Sequence, residues 1–234
     1  MRVYDGGGQT PVVTPGVGAP GNVWEPSISP DEKAIVFRRS TSSTSDIWRR
    51  DLARGTETRF TFDASGNLDP SWSPKGDRIV FNSNRGGSFN LYQTSGSGRD
   101  ELLLSTPYNK VPDQWSRDDR FIVYSEADPK TKWDLWVLPL GQRRPVPFLQ
   151  SGFNELYGQL SPDSGWMAYT SDESGQREVY VRPFPRLRRQ VADFNRGRRA
   201  TALAGRRQRA VLCGSGRKDD GGSGESGCRA ETLL

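Results

Sequence analysis

The sequence predicts an all-β fold made of about four copies of one four-stranded unit, followed by a tail of different character. Three observations predict it. One segment recurs with a period near 44 residues, each copy holds short β-branched and aromatic runs between turn signals, and no copy shows a helical pattern. The 234 residues suffice for one large domain or two small ones, and seven Trp and ten Phe supply apolar material for a core.

The repeat can be followed through two landmarks. Residues 26–37 recur as residues 70–81, 113–124 and 158–169. The anchoring serines are spaced by 44, 43 and 45 residues: Ser29, Ser73, Ser116 and Ser161. A second landmark recurs every 44 residues: Trp48, Tyr92, Trp136 and Tyr180. The spacing therefore predicts equivalent structural positions in successive units.

Each unit reads as strand, turn, strand, strand and strand. Aspartates are expected in the first turn, where their side chains bond nearby backbone N–H groups: Asp31, Asp77, Asp118 and Asp163. A β-branched second strand follows, as in residues 79–81, and the aromatic landmark marks the third. Fourth strands are expected over residues 58–62, 101–104 and 145–149. The aromatic residues are expected to pack between neighbouring units.

Four short strands in about 40–45 residues are typical of a β-propeller blade. The fold class predicted is therefore an incomplete β-propeller of about four four-stranded blades, with blade starts near residues 26, 70, 113 and 158. A half-blade is predicted over residues 1–14, and the partial propeller is expected to occupy residues 1–185.

By these residues the chain resembles the TolB-like, WD40-like family of propellers, whose blades carry a Ser-Pro-Asp-Gly turn, an Ile-x-Phe strand and a Ser-x-Arg-x-Gly stretch. Residues 73–86 are the best copy. More narrowly, the chain is similar to the propeller found C-terminal to many bacterial Ser/Thr protein kinases, through residues 45–48, 58–62, 133–140 and 180–185. The resemblance implies a sensory or interaction domain and a ring that usually closes with six blades. It also suggests a periplasmic or extracytoplasmic location in bacteria, with the cytoplasm as the alternative.

The net charge of +5 comes from the tail. Residues 186–234 hold eleven Arg and one Lys against five acidic residues, whereas residues 1–185 hold 21 basic and 23 acidic residues. All seven Trp lie before the tail. The tail is predicted to be basic, of low complexity and disordered, and no specific nucleic-acid recognition is expected from it.

The tail also suggests a shifted reading frame. If Arg186 to Asn195 are encoded by suitable codons, reading one base later gives Gly-Ser-Gly-Gly-Lys-Trp-Gln-Ile-Ser, a good fourth strand. Residues 205–213 read the same way give Gly-Asp-Gly-Lys-Glu-Leu-Phe-Tyr, the missing blade turn. The hypothesis is that residues 186–234 are a frame-shifted end that was never selected to fold.

The absence of histidine excludes Ser-His-Asp and Cys-His nucleophile systems and His-ligated metals. We therefore predict no enzymatic activity, no cofactor and no metal site. The candidate binding residues are Glu25, Asp69 and Asp113, which are expected just before the innermost strands, at the rim of the central channel. They could hold a cation or a basic peptide, although solvated loop residues are the alternative reading.

The function predicted is a non-catalytic scaffold, part of a larger bacterial protein such as a Ser/Thr kinase, that binds a protein, a peptide or a small ligand at the channel mouth. One alternative is an accessory propeller of a prolyl-peptidase-like or glycan-cleaving enzyme whose catalytic part is absent. Another is a non-functional truncated reading frame. No apolar run approaches the ~18 residues that a membrane helix needs, and no signal peptide is recognised, so neither a membrane segment nor secretion is expected.

Overall fold

A computed structural model describes residues 22–41, 44–96 and 99–184 and, outside them, the backbone of three two-residue strands. The described residues form eighteen β-strands and no helix, which confirms the all-β prediction. Sixteen of the strands form four antiparallel four-stranded sheets, and the other two pair with each other.

The four sheets are the four predicted blades, each with its strands in chain order from the first to the fourth. Their first strands begin three residues before the starts expected from the sequence. Blade 1 contains β3 (Val23–Ile28), β4 (Ala34–Ser40), β5 (Ser45–Asp51) and β6 (Glu57–Arg59). Blade 2 contains β7 (Asn67–Trp72), β8 (Ile79–Gly86), β9 (Ser88–Thr94) and β10 (Glu101–Leu104). Blade 3 contains β11 (Lys110–Trp115), β12 (Phe121–Asp128), β13 (Lys132–Pro139) and β14 (Val146–Leu149). Blade 4 contains β15 (Glu155–Leu160), β16 (Trp166–Ser171), β17 (Glu178–Pro183) and β18 (Gln208–Arg209).

The half-blade and the end of the fourth blade come from the two ends of the chain. Strands β1 (Val3–Tyr4) and β2 (Pro11–Val12) pair antiparallel, where the half-blade was predicted. Strand β18 pairs with β17 and comes from the tail that the sequence analysis expected not to fold. The connection before it spans residues 184–207, against five or six residues in the other three blades. The remainder of the tail, with Cys213 and Cys228, lies outside the described residues.

The first turn of each blade is built around the anchoring serine. The Ser29 Oγ–H donates to Asp31 (2.7 Å) while the same oxygen accepts from the Ala34 backbone N–H (2.9 Å). The arrangement recurs at Ser73, Ser116 and Ser161. The aspartates that the sequence placed in these turns bond there as expected, and these bonds hold the pKa of Asp31 below its usual value. They are turn residues, as the repeat predicts.

Among the described residues the core consists of three clusters, each between two neighbouring blades, as predicted from the repeating aromatic positions. Between blades 1 and 2 the cluster comprises Val36, Ile47, Ile79, Phe81 and Tyr92. Between blades 2 and 3 it comprises Val80, Leu91, Leu103, Trp115, Ile122, Tyr124 and Leu138. Between blades 3 and 4 it comprises Phe121, Val123, Leu135, Val137, Met167, Tyr169, Tyr180 and Phe184. Each such side chain stabilises the fold by about 1.5–3 kcal/mol on burial, so a blade depends on its neighbours.

Candidate functional site

The first strand of each blade lies innermost, and these four strands follow one another around the centre of the arc. β7 contacts both β3 and β11, and β11 contacts β15. Each is interrupted by a bulge, where its register with the second strand shifts. Equivalent bulge positions hold Glu25, Asp69 and Tyr157, all with positive φ (54°, 51° and 59°). A bulge redirects the backbone and the side chain, so these three residues depart from the regular alternation of their strands.

The structure brings the three predicted rim acids onto this row of bulges. Glu25, Asp69 and Asp113 lie within β3, β7 and β11, not before them. The prediction of their position was wrong by about half a strand, because the bulge lets each innermost strand extend further towards its N-terminus than its β-branched pattern indicates. All three acids therefore belong to the innermost strands of the arc. Their role in ligand binding stays a prediction.

Hydrogen bonds tie these acids to neighbouring strands. The Asp69 backbone N–H donates to Glu25 Oε2 (2.8 Å), which links blade 2 to blade 1. Asp69 Oδ2 accepts from the Asn82 side-chain amide (2.9 Å). Asp113 Oδ2 accepts from the Ser125 hydroxyl (2.7 Å), and its carboxylate also accepts backbone N–H groups of blade 4. Through these hydrogen bonds the acids connect strands of the same blade and strands of neighbouring blades.

Burial is the main reason that two carboxyls of this row keep their protons to a higher pH than usual, so that both pKa values are raised. Burial, and after it the charge of Glu25, raises the pKa of Asp69 to about 6. Burial raises the pKa of Asp113 to about 7, with a further contribution from the charge of Asp69. The cation that the structure places here is Arg38, whose Nη2 lies 3.4 Å from Glu25 Oε1. These shifts mean that an added positive group would stabilise the ionised carboxyls.

Two exposed aromatic side chains flank the acids. Trp24 is 53% exposed on β3, with the Arg38 guanidinium 5.7 Å from its ring centroid. Tyr157 is 54% exposed on β15, at the bulge position that acids occupy in blades 1 and 2. Aromatic faces attract cations, so the row combines carboxylates with rings at both ends.

A separate pocket of about 400 Å³ opens between blades 1 and 2, at the end of the blades where the first turns lie. Trp72 forms one wall and is fixed by its Nε1–H, which donates to the Ser27 carbonyl oxygen (3.1 Å). Charged side chains of both signs line the pocket, namely Asp31, Arg49, Lys75 and Asp77. Its walls come from two copies of the repeat, so no single copy signals this pocket.

The described part of the chain was compared with the requirements of a metal-binding cluster and of a membrane-spanning helix. Over residues 22–184, leaving out 42–43 and 97–98, no group of three or more Asp, Glu, His or Cys side chains is arranged to hold a metal ion. Within the same ranges no helix has the length and apolarity needed to cross a membrane.

Comparison with known proteins agrees with the fold. The profile of the family described as "TolB beta propeller domain" matches residues 10–135. Among curated proteins, the uncharacterized protein Atu1656 of Agrobacterium fabrum is 30% identical over 162 residues, which cover 67% of this chain and 54% of that protein. The uncharacterized peptidase YuxL of Bacillus subtilis is 31% identical over 110 residues, 44% of this chain and 17% of that protein. The chain thus spans about half of the first relative and a smaller part of the second.

Solved structures show the same architecture. TolB from Acinetobacter baumannii superposes with a TM-score of 0.63 at 21% identity, covering 70% of this chain and 41% of that one. A putative TolB from Agrobacterium tumefaciens gives a TM-score of 0.52 at 22% identity, covering 73% and 61%. A prolyl endopeptidase structure gives 0.57 at 14% identity, covering 78% and 31%. With the family profile matching more than half of its residues, the chain belongs to the TolB β-propeller domain family.

Proposed function

We propose that this propeller is a non-catalytic binding module that takes a basic segment of a protein or peptide along the inner wall of its arc. The observation that carries the proposal is the row of carboxylates from three successive blades, Glu25, Asp69 and Asp113. Its pKa values are raised to about 6 and about 7 at the second and third positions. A Lys or Arg side chain placed there would offset the repulsion between the carboxylates.

The geometry favours a peptide over a small ion. Successive acids are 44 residues apart and belong to neighbouring blades, so an extended segment running across the innermost strands would meet them one after another. The exposed rings of Trp24 and Tyr157 offer contacts for the aliphatic stems of Lys and Arg at either end. Side chains of this kind bind by charge complementarity, which gives strong dependence on salt.

The proposal can be tested by titrating the full chain with a fluorescent Lys- and Arg-rich peptide and following its anisotropy. We expect the peptide to bind less tightly as salt is added. Asp69→Asn and Asp113→Asn should each lower the affinity by about tenfold, the effect of losing one charge contact. Asp51→Asn is the matched control, since Asp51 lies at the outer turn between β5 and β6, where it accepts backbone N–H groups of Ala53 and Arg54. Equal affinities for all four proteins would contradict the proposal.

We further propose that the polypeptide itself catalyses nothing. The chain has no histidine, so a Ser-His-Asp system cannot be assembled from it. Kinase, hydrolase and nucleotide-turnover assays on the purified chain should therefore give only background rates. An activity that copurifies with the protein through two orthogonal separations would contradict this.

A second candidate function is that of an accessory propeller within a larger peptidase. The observation that favours it is the 31% identity to the uncharacterized peptidase YuxL, supported by the fold shared with a prolyl endopeptidase. Sequencing the flanking gene distinguishes the candidates. A Gly-x-Ser-x-Gly elbow downstream supports the peptidase, whereas a Gly-rich loop with His-Arg-Asp and Asp-Phe-Gly upstream supports the kinase-linked sensory domain that the resemblance implies. If the flanking gene holds neither set of motifs, the non-functional truncated reading frame is the remaining alternative.

A further inference from the structure

Polar side chains are buried between blades where each innermost strand begins. We call these places the first, second and third junctions, after the contacts of blades 1 and 2, 2 and 3, and 3 and 4. At the first junction the acid of the preceding blade, Asp46, is paired with Arg59, whose Nη2 lies 2.8 Å from its Oδ2. The first junction thus contains its own counter-charge.

The second junction is built around a buried ammonium group. Lys110, the first residue of β11, is fully buried. Its Nζ donates to Asn90 Oδ1 (3.0 Å), Thr106 Oγ1 (2.5 Å) and the Tyr108 carbonyl oxygen (2.6 Å), and it lies 3.3 Å from Glu126 Oε2. Four oxygens therefore surround one positive charge.

The third junction has the same framework with the opposite charge. Its innermost strand begins with Glu155 where β11 begins with Lys110, and each pairs with the equivalent residue of its second strand. Asp134 lies 44 residues after Asn90 on the third strand of the preceding blade. The Ser151 hydroxyl donates to Glu155 Oε1 (2.5 Å), as Lys110 donates to a hydroxyl one blade earlier. An acid thus occupies the place of the ammonium group, next to a second acid.

Both carboxylates keep an oxygen without a hydrogen-bond partner. Asp134 is 0% exposed and Glu155 is 1% exposed. Asp134 Oδ2 accepts from Thr131 and Gln150, but Asp134 Oδ1 and Glu155 Oε2 have no partner among the described residues. Over those same residues neither acid belongs to an ion pair. Burial raises the pKa of Glu155 to about 7, with smaller contributions from the charges of Asp134, Glu173 and Asp172.

We propose that the third junction binds a hard divalent cation, with Ca²⁺ as the best fit, between Asp134 Oδ1 and Glu155 Oε2. The donors are all oxygens, which hard cations prefer, and two carboxylates supply the charge that one divalent ion neutralises. Ca²⁺ tolerates irregular geometry and takes about six to eight oxygens, so hydroxyls and waters complete its shell. The ion replaces the positive charge that Lys110 provides at the second junction and ties blade 4 to blade 3. No metal site was expected from the sequence, which lacks histidine.

The competing account is a proton held by Glu155 that satisfies the pair without metal. The two accounts differ in their response to added cation. The metal-free full chain is therefore titrated with Ca²⁺ by calorimetry, and its Tm is measured with and without Ca²⁺, for the wild type and three variants. Glu155→Gln removes one ligand. Glu155→Lys rebuilds the second junction's arrangement. Asp46→Asn is the control, since it removes the same third-strand acid at a junction that has a cation.

We expect one Ca²⁺ per chain for the wild type and for Asp46→Asn, and a Tm rise of about 5–10 °C at a hundredfold excess over Kd. Glu155→Gln should lose this binding. Glu155→Lys should also lose it, yet unfold near the Tm of the Ca²⁺-loaded wild type, which shows that the variant folds and that a fixed charge substitutes for the ion. Failure of the wild type to bind Ca²⁺ at millimolar concentration, or binding unchanged in both Glu155 variants, would overturn the proposal.

Discussion

The buried ammonium of Lys110 offers the sharpest test of how the blades are held together. The substitution Lys110→Met keeps most of the aliphatic stem but removes three donated hydrogen bonds and the ion pair with Glu126. The Glu126 carboxylate, 9% exposed, is left without its counter-charge inside the protein. Removing one partner of a buried pair costs about 3–5 kcal/mol, mostly through the charge that remains. We therefore expect Lys110→Met to lower the free energy of unfolding by that amount.

The measurement is urea unfolding followed by Trp fluorescence, which reports on the seven Trp residues of the propeller. Lys130→Met is the matched control: Lys130 lies exposed in the turn between β12 and β13, and its loss should change stability by less than about 0.5 kcal/mol. The double variant Lys110→Met/Glu126→Gln should recover part of the loss, because the uncompensated charge is gone. A loss below about 1 kcal/mol for Lys110→Met, the value of an exposed pair, would refute the reasoning.

Three further predictions concern a buried carboxyl, a close approach at a glycine and the coding DNA. Because burial and the charge of Asp69 raise the pKa of Asp113 to about 7, the folded state keeps a proton that the unfolded state releases above its own lower pKa; the wild type should therefore lose stability relative to Asp113→Asn as the pH rises from about 4 to 7, and parallel pH profiles would contradict this. A Cβ on Gly158 would lie 2.8 Å from Val123 Cγ1, so Gly158→Ala should cost about 1–3 kcal/mol in urea unfolding, whereas Gly152→Ala, with open space around it, should be neutral; equal effects would count against the packing argument. The coding DNA for residues 186–234, when read one base later, should encode a sequence that continues the blade repeat. Codons that do not encode it would contradict the frame-shift hypothesis.

The repeat determines most of the fold because its two landmarks have physical causes. The anchoring serine recurs because its hydroxyl bonds the turn backbone, and the aromatic landmark recurs because it packs beside the second strand, as Tyr92 does on Phe81 (6.0 Å between centroids). The serine bonds act within one blade, and the aromatic ring also packs against the neighbouring blade, so both positions recur in every copy. The blade order and the antiparallel pairing then follow from short connections.

The site was less predictable because it forms between copies. The bulges at Glu25 and Asp69 place non-glycine residues at positive φ, which no local residue pattern signals. The contrast between Lys110 and Glu155 becomes visible only when the copies are aligned on their innermost strands, where the spacing is 43 and then 45 residues. Aligning the copies by strand, and comparing charges position by position, is the signal that could have found the junctions.

The bonds between blades join only adjacent sheets, and this determines how the arc comes apart. Over the described residues, each of the two middle blades packs against a neighbour on both sides, whereas Trp166 on the fourth blade is 41% exposed. Opening therefore begins at the ends and moves inward, as in linear repeat proteins. Backbone amides of β8 and β12 should be the last to exchange with solvent deuterium. A ligand or contact that stabilises an end blade would therefore slow the unfolding of all four blades.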